Sequence, residues 1–186
     1  MHFELKQPAR GVTFASALDR LPETTPYSKT DASVVESALP AVDLIWNMTL
    51  VCPWDCQICC VDAVHARKRG SRIELRGNGL TSLEDFPFTP GKLTVFEQAM
   101  LHRQQQGLEL DLAGKLRILD HLEGFAAKLD FSGGDPLIAK ENAEVMRVAA
   151  ERFGRERVTV TATGPGLARY APEELATILG ELNFTY

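Results

Sequence analysis

Short apolar runs alternate along this chain with longer stretches in which apolar residues recur every three or four positions. Asp43 to Thr49 is a short, mostly apolar run that predicts a buried parallel strand leading directly to Cys52. Val61 to Arg69 reads as a helix closed by Gly70, with Arg67, Lys68 and Arg69 suited to a helix C-terminus. From Ser71 to Gly91 the pattern is interrupted by glycines 77, 79 and 91 and prolines 87 and 90, which predicts a loop or small hairpin. Thr94 with Glu97 forms a capping box, followed at helical spacing by Phe96, Ala99, Met100 and Arg103. A second helix starts at Asp111 and places Leu112, Leu116, Leu119 and Leu122 on one stripe, a core face.

After these, Lys128 to Phe131 predicts a strand and Lys140 to Phe153 a helix stopped by Gly154. Val158 to Thr161 predicts another strand, Pro172 and Gly180 bracket another helix, and Leu182 to Tyr186 begins a further strand. Strand–helix–strand alternation predicts an α/β fold with a parallel sheet and helices packed outside it. In such sheets ligands gather at the carboxyl ends of the strands. Three segments follow strands here: the cysteine loop, Ser132-Gly133-Gly134-Asp135-Pro136, and Thr161-Ala162-Thr163-Gly164-Pro165-Gly166. The topology therefore predicts that all three share one rim. Residues 1–42, with prolines 8, 22, 26 and 40, read as an extended leader holding one short helix around Asp31 to Leu39, and residues 43–186 as the core.

Composition narrows the functional classes. The chain has 186 residues, 45% hydrophobic and 24% charged, as in globular domains rather than disordered tails. With 20 Lys+Arg against 25 Asp+Glu the net charge is −5, and no basic run is long enough to favour a phosphate backbone, so nucleic acid is not an expected partner. No stretch of about 18 consecutive apolar residues exists, and the first 25 residues lack the apolar centre of a secretory signal. A cytoplasmic location is expected.

All four cysteines, Cys52, Cys56, Cys59 and Cys60, fall within nine residues, whereas a disulfide framework would spread them along the chain. The alternatives are a zinc site, an iron–sulfur cluster, a redox pair or a coincidence of buried thiols. Structural zinc usually joins two separated ligand pairs, and no second pair is present, although His65 is positioned to complete a local site with three thiolates. His2, His102 and His121 read as ordinary surface or helix-face residues. The C-x3-C-x2-C spacing of Cys52, Cys56 and Cys59 suits three irons of a cubane, leaving a fourth iron open, whereas electron-carrying clusters normally take four thiolates. Cys60, adjacent to Cys59, is expected to be a buried thiol at the start of the following helix.

The cysteine loop after the first strand, Gly133-Gly134-Asp135-Pro136 after the second and the Thr-containing end of the third occur in the order that resembles radical S-adenosylmethionine (SAM) enzymes. The resemblance covers roughly residues 43–186 and implies a partial (β/α) TIM-like barrel of the radical SAM type, with its first three to four strand–helix units present. It implies that Cys52, Cys56 and Cys59 hold a [4Fe–4S] cluster whose open iron is chelated by SAM. It also implies SAM contacts at Ser132, Gly133, Gly134, Asp135, Ile58, Thr161 and Thr163, with the Gly-Gly-acid segment accepting hydrogen bonds from the SAM amino group. One-electron cleavage of SAM would give methionine and a 5′-deoxyadenosyl radical that abstracts hydrogen from an unidentified substrate. An external one-electron donor of the flavodoxin or ferredoxin type is the expected partner.

The sequence departs from the family pattern in two places. Ile58 stands where an aromatic commonly contacts adenine, and Asp135 replaces the commoner Glu. Residues 71–125 form a long insertion. The chain ends within its fourth strand, so a longer protein or a completing chain is expected. Two other readings give different chemistry: a small zinc-binding interaction module using Cys60 or His65, and an iron–sulfur scaffold that cleaves no SAM.

Overall fold

The computed structural model describes residues 39–77 and 81–184. The leader helix expected around Asp31 lies outside the described residues. The elements are β1 (Ala41–Thr49), β2 (Val51–Cys52), β3 (Val64–Arg69), β4 (Arg72–Gly77), β5 (Thr81–Pro87), α1 (Val95–Gln105) and α2 (Leu112–His121). There follow β6 (Ala126–Gly133), α3 (Lys140–Phe153), β7 (Val158–Ala162), α4 (Pro172–Ile178) and β8 (Glu181–Phe184).

Four of the strands form a parallel sheet in the order β1-β6-β7-β8. Side chains alternate across it, as the pleat requires. Met48, Leu129, Phe131, Val158 and Val160 pack with Leu119 of α2 and Val145 and Met146 of α3, and partly buried Leu44 and Trp46 join them. Full burial of each large apolar side chain contributes about 1.5–3 kcal/mol, so this layer holds the helices on one face of the sheet. The α3 stripe that supplies Val145, Met146 and Ala149 is the stripe its 3.6-residue period predicts. On β1 and β6, the alternate positions are polar apart from Ala41, Ala126 and exposed Ile45: Asp43, Asn47, Lys128, Asp130 and Ser132.

The chain leaves this sheet at a single residue, Leu50, and enters a second one ordered β2-β3-β4-β5. There β2 and β3 are parallel while β3, β4 and β5 run antiparallel. Val51, Val64, Ala66, Ile73 and Leu75 pack against Ala99 and Met100 of α1 and against Ile138 and Ala139, forming a second core. The insertion predicted at 71–125 thus holds two of this sheet's four strands plus two helices, and it meets the cysteine loop through the Arg76–Asp55 ion pair.

Two expectations are corrected. Val61 to Arg69 is not a helix: residues 64–69 are β3, in which Val64 and Ala66 are buried beside Leu75, His65 is half-buried and Arg67, Lys68 and Arg69 are exposed. Gly70, at φ 60°, is not a helix stop but part of the tight turn joining Arg69 to its cross-strand partner Arg72. Cys60 consequently starts no helix; it lies exposed in a turn. By contrast, the Thr94–Glu97 capping box is formed in both directions, and Asp111 caps α2 by accepting from the Gly114 N–H. Among the described residues no helix is long and apolar enough to cross a membrane.

Candidate functional site

Because β1, β6 and β7 are parallel, the segments after them emerge at the same end of the sheet. Hydrogen bonds join the three. The Gly134 N–H donates to the Thr49 carbonyl at 2.8 Å and the Asp135 N–H to the Val51 carbonyl at 3.1 Å, so the Gly-Gly-Asp segment is stitched to the chain just before Cys52. A Cβ on Gly133 would collide with the Thr49 carbonyl oxygen, and one on Gly134 with the Val51 carbonyl oxygen. Gly133 also sits at φ 120°, open only to glycine. Both glycines are therefore required by backbone meeting backbone.

Asp135 is fully buried. One carboxylate oxygen accepts from the Leu137 N–H at 3.2 Å; the other accepts from the Thr163 hydroxyl at 3.0 Å and the Gly166 N–H at 2.8 Å. Burial pushes its carboxyl above the ordinary value, and the donors from Gly166, Thr163 and Leu137 oppose that rise. Within the chain, Asp135 and Thr163 thus act together as a staple between the ends of β6 and β7. Thr161 sits elsewhere, its hydroxyl donating to the Asp130 carboxylate at 3.1 Å on the polar side of the sheet. Ser132 is half-buried at the end of β6.

The cysteine loop projects from this floor. Cys52 is buried, Cys59 is half-buried and Cys56 is exposed. Two backbone donors already point at sulfur: the Trp54 N–H at 3.5 Å from Cys52 Sγ and the Ala63 N–H at 3.3 Å from Cys59 Sγ. Burial pushes the Cys52 thiol up to about 11; the Trp54 N–H works against this, and the charges of Asp135, Cys56 and Cys59 add to it. Cys52 therefore feels the charge of the other two thiols. As bare thiolates the three would repel, a repulsion that a bound metal cation offsets. Ile58, 94% exposed at the crest of the loop, and half-exposed Trp54 offer apolar surface beside the thiols. Among the described residues no three His, Cys, Asp or Glu side chains are gathered as a ready metal site. The donor set and its N–H···S bonds nevertheless suit a thiolate-bound iron–sulfur group, whose properties depend on hydrogen bonds to sulfur.

The structure also brings forward Glu109 and Arg76, which the sequence reading passed over, and it places His65, the candidate fourth zinc ligand. Glu109, from the α1–α2 connection, accepts from the Thr49 hydroxyl at 2.7 Å, from the Leu50 N–H at 3.0 Å and from Arg103 Nε at 3.0 Å. It fixes the point where the chain passes between sheets, two residues before Cys52. His65 is the register partner of Cys52, and its Nδ1 is buried without a hydrogen bond. Arg76, on β4, is the register partner of His65 and forms a 2.8 Å ion pair with Asp55 inside the loop. For His65 and Arg76 the signal was the two-residue alternation of Val64 to Gly77, which ranks them side by side once read as a hairpin; Glu109 carried no such signal. Comparison with known proteins returns no match: no family model, no curated protein and no solved structure matches the chain.

Proposed function

We propose that this chain is a radical SAM enzyme, or the N-terminal part of one, with Cys52, Cys56 and Cys59 holding a [4Fe–4S] cluster. The observation that carries this reading is the hydrogen-bonded junction between the Gly134–Asp135 backbone and the Thr49–Val51 backbone, which sets a Gly-Gly-acid turn against the base of a C-x3-C-x2-C loop. Strand order supports it as well. Each new parallel strand adds to the same edge, β1-β6-β7-β8, as a barrel wall requires, whereas a doubly wound sheet reverses direction at a switch point. On this reading the polar positions Asn47, Lys128, Asp130 and Ser132 belong to the inner side of a partial barrel.

A reduced cluster of this type supplies the single electron that splits SAM into methionine and a 5′-deoxyadenosyl radical able to abstract hydrogen from a substrate. The residues have separable tasks. Trp54 and Ala63 direct N–H groups at the ligating sulfurs, and N–H donation to sulfur moderates the charge gathered there. Asp135 and Thr163 hold the rims of β6 and β7 at a fixed separation, leaving Ser132 and the Gly133 backbone as the nearest acceptors for an ammonium. Ile58 gives an apolar contact for the adenine. The electron comes from a flavodoxin- or ferredoxin-type donor, and the protein works in the cytoplasm. Anaerobic reconstitution tests the reading: about four irons and four sulfides per chain are expected, lost in Cys56→Ala.

The second reading is a zinc module in which His65 joins the thiols. The buried, unpartnered His65 Nδ1 in register with Cys52 favours it. One zinc per chain with no acid-labile sulfide would select that reading.

A further inference from the structure

Resting on the iron–sulfur reading, we propose that Arg76 is a positioning residue for the cysteine loop, setting both its shape and its charge through Asp55. Asp55 lies between the first two thiols of C-x3-C-x2-C. Its Oδ2 pairs with Arg76 Nη1 at 2.8 Å, while its Oδ1 is buried and has no hydrogen-bond partner. The side chains of Arg76 and Asp55 are only 19% and 26% exposed, so water compensates little of either charge. A half-buried carboxylate with one oxygen unpartnered depends on the cation that holds the other.

The fold aims Arg76 at this place. Cys52, His65 and Arg76 occupy one transverse row across β2, β3 and β4, and strand pairing with β5 shifts register between Leu75 and Arg76. Such bulges re-aim a side chain beside functional loops. The ion pair spans 21 positions of sequence, tying the stretch between the first two cysteines to β4 as Glu109 ties the base of the loop.

The charge has a direction. Three thiolates and their cluster are anionic, so a bare Asp55 beside them would disfavour adding an electron, and Arg76 cancels that charge. Arg76→Gln should therefore make the cluster's midpoint potential more negative, and Asp55→Asn, which leaves the guanidinium in place, should make it more positive. Each variant should release iron to a chelator ~10-fold faster, as loss of outer-shell partners does. The double variant should be no worse than either single one, because both remove the same interaction.

The experiment measures midpoint potential and chelator release on the reconstituted full chain, and the alkylation rate of Cys52 on the metal-free chain by peptide mass spectrometry. Expected are opposite potential shifts for the two single variants and several-fold faster Cys52 alkylation in both, with no further gain in the double variant. Potentials that move together or stay put, with Cys52 alkylation at the wild-type rate, would overturn the proposal. If the wild-type chain assembles no cluster, the iron–sulfur reading fails, and the alkylation series on metal-free protein still decides whether Arg76 holds the loop.

Discussion

The Asp135 N–H donates to the Val51 carbonyl at 3.1 Å, and the next residue after Val51 is Cys52. One backbone bond thus ties the turn that ends β6 to the first thiol of the cysteine loop. The turn cannot drift from the loop without breaking it, and the glycines preceding Asp135 exist to let the two backbones meet. Position in this site is set by main chain, which makes the thiols insensitive to most side-chain changes around them and highly sensitive to a few.

Gly134→Ala is the first of those few. The added methyl would meet the Val51 carbonyl, a backbone atom that cannot swing aside. A loss of about 3 kcal/mol is expected, as for overpacking in a rigid core, seen as a lower urea midpoint with reduced iron uptake on reconstitution. A midpoint within error of wild type would mean that the junction yields.

Asp135 gives a pH dependence of defined sign. Its folded carboxyl titrates above the unfolded value, with burial as the main cause. In the interval between the two values the folded state binds more protons, so the contribution of this group is fully present below the unfolded value and falls as pH rises through the folded one. Urea midpoints from about pH 4 to 7 should show this decline in wild type and lack it in Asp135→Asn. The variant is also less stable at every pH by about 1–3 kcal/mol, because an amide has one acceptor oxygen where the carboxylate serves Leu137 on one side and Thr163 and Gly166 on the other.

Much of this architecture is legible in the sequence, and the places where it is not have physical causes. The Thr94 capping box, the α2 stripe and the parallel strands are local patterns, and local periodicity reports them. Residues 64–69 misled because Val-His-Ala-Arg-Lys-Arg offers two apolar positions followed by cations and a glycine, a composition equally compatible with a helix end. The alternation of Val64 with Ala66 and of Ile73 with Leu75 becomes decisive only when both halves of the hairpin are read together. The Cys-x3-Cys-x2-Cys loop and Gly-Gly-Asp were visible as motifs, but the true partners of Asp135 were not, since Thr163 and Gly166 lie 28 and 31 positions away. Glu109 and Arg76 escaped for the same reason, since each acts at a long sequence distance, and Arg76 comes beside the loop only through the hairpin register.

Lys115 is fully buried in α2, with its ammonium 2.7 Å from Glu141 and 2.8 Å from Asn142 of α3. Lys115→Ala leaves buried Asn142 without this donor and Glu141, which keeps only Gln104, without its counter-charge, so a loss of about 3 kcal/mol is expected from chemical denaturation. A change below about 1 kcal/mol would show that α2 and α3 are held by their apolar stripe alone.

Glu109→Gln tests the brace at the base of the loop. The amide replaces one oxygen by a donor that must face the Thr49 hydroxyl, the Leu50 N–H or Arg103, and it leaves the buried Arg103 without its counter-charge. A cost of about 2–3 kcal/mol is expected, together with slower cluster assembly. Equal stability and assembly in the variant would remove Glu109 from the account.

The most direct test of the central claim is electron paramagnetic resonance on anaerobically reconstituted, dithionite-reduced protein with and without SAM. A reduced [4Fe–4S] signal is expected, with g values that shift when SAM is added, because an iron without a protein ligand is open to it. A cluster signal indifferent to SAM would reduce the protein to an iron–sulfur scaffold, and the absence of any cluster, with zinc present, would contradict the assignment outright.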